Sequence, residues 1–183
     1  MRWLKVDLLM PDYDALMVGA ISAASNDAKW IGAKFEGIKT LANTHVGSVC
    51  QNFVEALCAE LGLIHEFPMS AGRRLSQSPW DIRILGTTFE LKTATEDTNR
   101  CFQFNHIRYH RTYDAALFIG VAPDEILFDC WSKADLVTGK AGRLNSMEAG
   151  ANASYKFPRR RAIMHPIDQF ENKIRLLVGS LSA

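Results

Sequence analysis

Cysteine is scarce, and none of the four (Cys50, Cys58, Cys101 and Cys130) forms a C-x-x-C pair or any metal-ligand spacing. With all but Cys101 inside apolar runs, they read as reduced core thiols of a cytoplasmic protein, which argues against a disulfide framework or a zinc ribbon. A membrane span is missing too. The apolar stretch ALMVGAISAA (15–24) is far too short to cross a bilayer, and Asp12 and Asp14 precede it where a signal peptide needs positive charge, so no membrane partner is expected. Charge of either sign is almost balanced, with 21 Lys and Arg against 20 Asp and Glu; a net +1 neither demands nor excludes a polyanionic partner. There is no internal repeat and no low-complexity tract.

What is present is a chain of 183 residues, 48% hydrophobic and 22% charged, long enough to bury one substantial core in a single domain spanning 1–183. Tyr13, Leu16, Met17, Ala20, Ile21 and Ala24 recur at helical spacing after Pro11-Asp12, predicting a helix over about 12–24. Val46, Val49, Cys50, Phe53, Val54, Leu57, Cys58 and Leu61 form one apolar face, with Gly62 where a C-terminal cap belongs. They predict a helix over about 46–61 packed on a sheet. LIHEF (63–67) reads as a strand and MSAGRRLSQSP as a polar loop. The mixed segment FQFNHIRYHRTY reads as a polar helix, AALFIGV (115–121) and ILFDCW (126–131) as strands. Residues 138–158, rich in Gly, Ala, Ser and Asn, suggest a long surface excursion, and IDQFENKIRLLV (167–178) a closing helix.

The stretch SPWDIRILGTTFELKTA (78–94) is built as a hairpin yet carries Asp81, Glu90 and Lys92. Alternation puts Ile82, Ile84, Phe89 and Leu91 on one face and Asp81, Arg83, Glu90 and Lys92 on the other. A two-residue turn at Gly86-Thr87 would set Asp81 opposite Lys92 and Arg83 opposite Glu90. Acid-x-lysine triplets also occur at Asp27-Ala28-Lys29 and Glu171-Asn172-Lys173, but neither lies on a strand with a partner acid upstream. A solvated face of alternating charge is the plain alternative. Two carboxylates on adjacent strands can hold Mg²⁺, which keeps several waters and binds substrate phosphate oxygens, and an ammonium beside them can orient or deprotonate water for attack on a phosphodiester.

Asp81 followed by Glu90-Leu91-Lys92 resembles the motif of the PD-(D/E)XK nucleases, with Pro79 a loose match to the proline because Trp80 intervenes. The family core, a helix, three strands, a helix and a strand, follows the order read above over roughly 45–133. The resemblance implies an α/β fold with a restriction-endonuclease-like core, a mixed β-sheet flanked by α-helices. An N-terminal helical segment (1–44) and a C-terminal segment (134–183), for DNA contact or dimerisation, would complete it. It also implies a Mg²⁺-dependent endonuclease of restriction type cutting double-stranded DNA to 5′-phosphate and 3′-hydroxyl ends. Asp81, Glu90 and the Leu91 carbonyl would hold the metal and Lys92 would position water. GSVCQNFVEALCAELG is similar to a superfamily pattern that selects Gln51, then Glu55, as support for the metal, with Glu60 at the other helix edge.

His106 and His110 have the i, i+4 spacing of a helical chelate but no third ligand; with Arg108 and Arg111 between and beside them they suit phosphates better. Gln103 and Asn105 could pair with adenine edges. Arg159, Arg160 and Arg161, and the smaller pair Arg73-Arg74, are candidate backbone contacts. Cutting a palindrome would call for a twofold homodimer. A structure-specific recombination or repair nuclease of the same fold, and a non-cleaving nucleic-acid-binding module, are the other readings.

Overall fold

The computed structural model describes residues 27–75, 78–150 and 153–182, so the helix expected over about 12–24 lies outside the described residues. Among the described residues, eleven strands and three α-helices build a mixed α/β fold. The strands are β1 (His65–Glu66), β2 (Met69–Ser70), β3 (Arg73–Arg74), β4 (Ile82–Ile84), β5 (Thr87–Thr95), β6 (Cys101–Ile107), β7 (Ala115–Val121), β8 (Ile126–Ser132), β9 (Asn145–Glu148), β10 (Ser154–Arg160) and β11 (His165–Pro166). The helices are α1 (Asn43–Glu60), α2 (Lys133–Val137) and α3 (Phe170–Leu181). Among the described residues, no helix is long and apolar enough to cross a membrane.

The main sheet has six strands in the order β1-β4-β5-β7-β8-β11. Only β5 and β7 run parallel, from Phe89 opposite Ala115 to Thr95 opposite Val121; the other pairs are antiparallel. Every residue of β7 is buried, as expected for a central strand covered on both faces.

Helices cover one face. Cys50, Val54 and Cys58 of α1 and Phe170 and Ile174 of α3 pack against Ile82, Ile84, Phe89, Leu91, Leu117 and Ile119. Burial of Val54 alone stabilises by roughly 1.5–3 kcal/mol. The helix α1 starts one turn earlier than its apolar stripe and stops as that stripe predicts. Gly62, at φ +63°, lets its own N–H reach the Ala59 carbonyl (3.1 Å) and the Leu63 N–H reach that of Cys58 (2.8 Å).

The other face is covered by a second sheet of order β6-β10-β9, which overturns one expectation and part of another. The segment FQFNHIRYHRTY is no helix: Phe102 and Phe104 alternate with half-buried Gln103, a strand pattern. Beyond Phe104 a bulge intervenes, since Phe157 faces Phe104 while Tyr155 faces Ile107, and His106 takes φ +57°. The bulge rephases Ile107 into the interior, which breaks the alternation that would have marked the strand. The parallel crossover from β5 to β7 therefore runs through a strand of the second sheet. Residues 138–158 are largely exposed as far as 150, as expected, but the segment is not irregular throughout. They contain β9 and most of β10, whose buried Phe157 stacks 5.0 Å from the Phe118 ring, so the packed interior continues past residue 133. Gly120 on β7 makes room for this layer, because a Cβ there would meet the Phe102 ring at 2.9 Å.

Candidate active site

The β4–β5 hairpin turns at Leu85-Gly86, with φ of +50° and +87°, one residue earlier than the expected Gly86-Thr87. Two successive positive φ values give a turn whose twist matches that of the strands it joins. The register moves by two residues in consequence: Ile82 faces Phe89 and Arg83 faces Thr88 rather than Glu90. Asp81, just before β4, is thereby level with Glu90 instead of Lys92. An even shift leaves the faces unchanged, so Asp81, Glu90 and Lys92 still share one side of the sheet.

Asp81 is held at both ends. Its N–H donates to the Phe89 carbonyl (2.8 Å), and its Oδ2 accepts the Leu91 N–H at 2.7 Å. Glu90 is fully buried, and Lys92 Nζ lies 2.6 Å from its Oε1. Apart from that ion pair, neither Glu90 oxygen has a hydrogen-bond partner among the described residues. Burial pushes the Glu90 carboxyl above its ordinary range; Lys92 opposes the rise, the Asp81 charge adds to it, and Arg111 opposes it. Tyr113 lies close by with its hydroxyl buried and unbonded, held above its usual range by burial and by the Glu90 charge. The Arg111 guanidinium donates to the Ser78 carbonyl (3.2 Å), in the segment that leads into Asp81, and Lys133 donates to the Arg111 carbonyl at 2.6 Å.

A buried carboxylate with unbonded oxygens, level with a second carboxylate on the next strand, fits a hard cation that takes one or two protein carboxylates and completes its shell with water and phosphate. Among the described residues no group of three or more His, Cys, Asp or Glu side chains could enclose a metal. A closed structural site is therefore not built there, whereas an open Mg²⁺ site needs no third side chain.

A cleft of about 530 Å³ opens beside this hairpin. Leu91 and Lys92 lie on its floor, and Gln103, Asn105 and His106 of β6 form one wall. The structure thus brings three of the expected DNA-contact residues to the candidate lysine. From α1 it turns Asn43, Val46 and Gly47 toward the cleft, not Gln51 or Glu55. Gln51 is half-buried, Glu55 forms an ion pair with Arg74, and Glu60 is exposed at the helix end.

The arginine candidates separate. Arg159 is buried, its Nη2 2.5 Å from Asp129 Oδ2 and its Nη1 2.8 Å from the Ala141 carbonyl, so it is interior rather than a phosphate contact. Arg160 points outward, and Arg161 is paired with Glu125 (2.5 Å) and Glu96 (3.4 Å). On a strand, consecutive residues take opposite faces, which separates Arg159 from Arg160, and Arg161 lies past the end of β10. Arg73 is exposed, while Arg74 stacks on the Phe67 ring at 3.6 Å besides pairing with Glu55. Arg108 and His110 follow β6 in irregular backbone, so the i, i+4 helical spacing of His106 and His110 does not exist. Nothing in the sequence marks Arg111 and Tyr113 as neighbours of Glu90, because they come from the approach to β7 and only the parallel pairing of β7 with β5 brings them there.

No protein-family model matches the chain, and no curated protein matches it.

Proposed function

We propose that the protein is a Mg²⁺-dependent DNA endonuclease of restriction type, related to the PD-(D/E)XK nucleases. One observation carries this reading: Asp81, just before β4, bonds the Leu91 N–H next to Glu90 on β5, and Lys92 lies 2.6 Å from a buried Glu90 oxygen. Asp81, Glu90 and the Leu91 carbonyl would hold the ion, leaving its remaining positions to water and to substrate phosphate oxygens. The bound ion supplies charge neutralisation and polarisation of the scissile phosphate.

The chain's own groups do the rest. The Asp81 bond to the Leu91 N–H locks the two strands in register, so both carboxylates keep one separation. The Lys92 ammonium, partly exposed at the cleft floor, orients the attacking water in line with the departing oxygen. Water oxygen forms the new bond to phosphorus and the bond to the 3′ oxygen breaks. The water's protons end on solvent and on the released 3′-hydroxyl, leaving a 5′-phosphate. Gln103, Asn105 and His106 lie where a DNA strand in the cleft would pass. A palindromic target would be cut by a homodimer with one site per strand. The four free thiols accord with work in the cytoplasm.

Incubation of the purified protein with mixed plasmid DNA and Mg²⁺, beside Asp81→Ala and Lys92→Ala, tests this reading. Discrete fragments from the wild type and none from either variant support it. Cutting only of branched substrates would point to the recombination and repair class, and equal cutting by all three proteins would refute the assigned site.

A further inference from the structure

The cleft above Lys92 has a second wall, formed by Lys39 from the segment that leads into α1 and by Asn43 at the start of α1. Among the described residues no aspartate or glutamate lines the cleft, although the chain carries 20 acids against 21 Lys and Arg. Lys92 is already paired with Glu90 behind it, so among the described residues Lys39, His106 and amides are what an anion entering the cleft would meet.

Lys39 is placed for such a role. Its Nζ lies 5.3 Å from the centroid of the Trp30 ring, and Trp30 is only 3% exposed, seated in the main core with its indole N–H on Asp27. The ammonium itself therefore sits against a rigid aromatic platform. Among the described residues Lys39 has no carboxylate partner, whereas Lys29 of the same segment is paired with Glu96 at 3.2 Å. On the opposite wall the Gln103 amide is committed to Asp97 (3.2 Å), while exposed Asn105 has no hydrogen bond among the described residues. The volume of about 530 Å³ falls within the roughly 300–1,000 Å³ that holds a small ligand, room for a short stretch of one strand.

We propose that one strand of the DNA lies along this cleft with a backbone phosphate on Lys39, and that Asn105 faces the base edges from the other wall. The second strand stays outside. This assignment rests on the proposed nuclease function and adds Lys39, from a part of the chain remote from the hairpin, as a substrate-binding residue.

Binding of a fluorescein-labelled duplex of mixed sequence, followed by anisotropy across a salt series in the Asp81→Ala background, tests it. Lys39→Met keeps an unbranched side chain beside Trp30 and removes the charge. The expected result is roughly fivefold weaker binding and a salt slope smaller by about one, as for one lost phosphate contact. Lys39→Arg should restore the slope, and Lys34→Ala, a charge lost outside the cleft, should leave it unchanged. An unaltered slope in Lys39→Met, or an equal drop in Lys34→Ala, would overturn the strand path. Either result is compatible with Mg²⁺-dependent cutting by the wild type. Failure of the nuclease reading would show instead as equal cutting by wild type, Asp81→Ala and Lys92→Ala.

Discussion

Lys92 Nζ and Glu90 Oε1 are 2.6 Å apart, yet the lysine side chain is 21% exposed and the glutamate 1%. The ammonium reaches in from the cleft to neutralise a carboxylate that water cannot reach. Desolvation still dominates, and the Glu90 carboxyl titrates above its ordinary value of 4.5.

A group whose folded pKa is raised adds stability below its unfolded value and loses it as pH rises through the folded value. Wild-type stability should therefore fall relative to Glu90→Gln as pH climbs from below 4.5 toward neutrality. Thermal melting of both proteins across that range measures it, the remaining groups cancelling between them. A gap that does not change with pH would refute the assignment. Cleavage should be abolished in Glu90→Gln at every pH, and the acidic limb of the wild-type rate profile should lie above 4.5.

Asp81 has a structural task separable from its chemical one. Asp81→Asn retains an oxygen for the Leu91 N–H and loses the charge, so cleavage should disappear with little change in melting temperature. Asp81→Ala gives up the bond as well, and should cost about 1.5–3 kcal/mol more in chemical denaturation, the range for a hydrogen bond to a charged group.

Arg159→Ala would strand the buried Asp129 carboxylate without its partner. The expected loss is about 3–5 kcal/mol of stability. Arg160→Ala, one residue on but outward-facing, should stay within about 0.5 kcal/mol of wild type. Urea unfolding of the two variants distinguishes an interior arginine from a surface one.

Gly120→Ala should cost about 1–3 kcal/mol through overpacking, because the new methyl would meet the Phe102 ring at 2.9 Å. Phe102→Leu should relieve much of that penalty. Non-additive stabilities in the double mutant would confirm that the two sheets meet at this pair.

Some of this architecture is plain in the residues. An eight-position apolar stripe followed by Gly62 marks α1, and the run AALFIGV marks β7, because Cys50, Val54 and Cys58 are buried at helical spacing and every residue of β7 is buried. The shared face of Asp81, Glu90 and Lys92 also survives a wrong turn assignment, since strand parity is conserved when the register slips by two. The extra residue near His106 is a different matter: one bulge destroys the period on which strand recognition depends, and β6 then imitates a helix. Arg159 is hidden for a related reason, because nothing in RRR tells which arginine meets Asp129 on another sheet.

Which groups could act, two acids and a lysine on one face of a hairpin, is written in the residue order, because alternation along a strand is local. So are the helical and central-strand stripes that bury that hairpin. Packing alone removes Glu90 from water, brings Arg111 and Tyr113 near it, and sets Lys39 and Asn105 along a common cleft. Those relations arise where distant segments pack together, and desolvation and charge proximity depend on distance in space rather than on position in the chain.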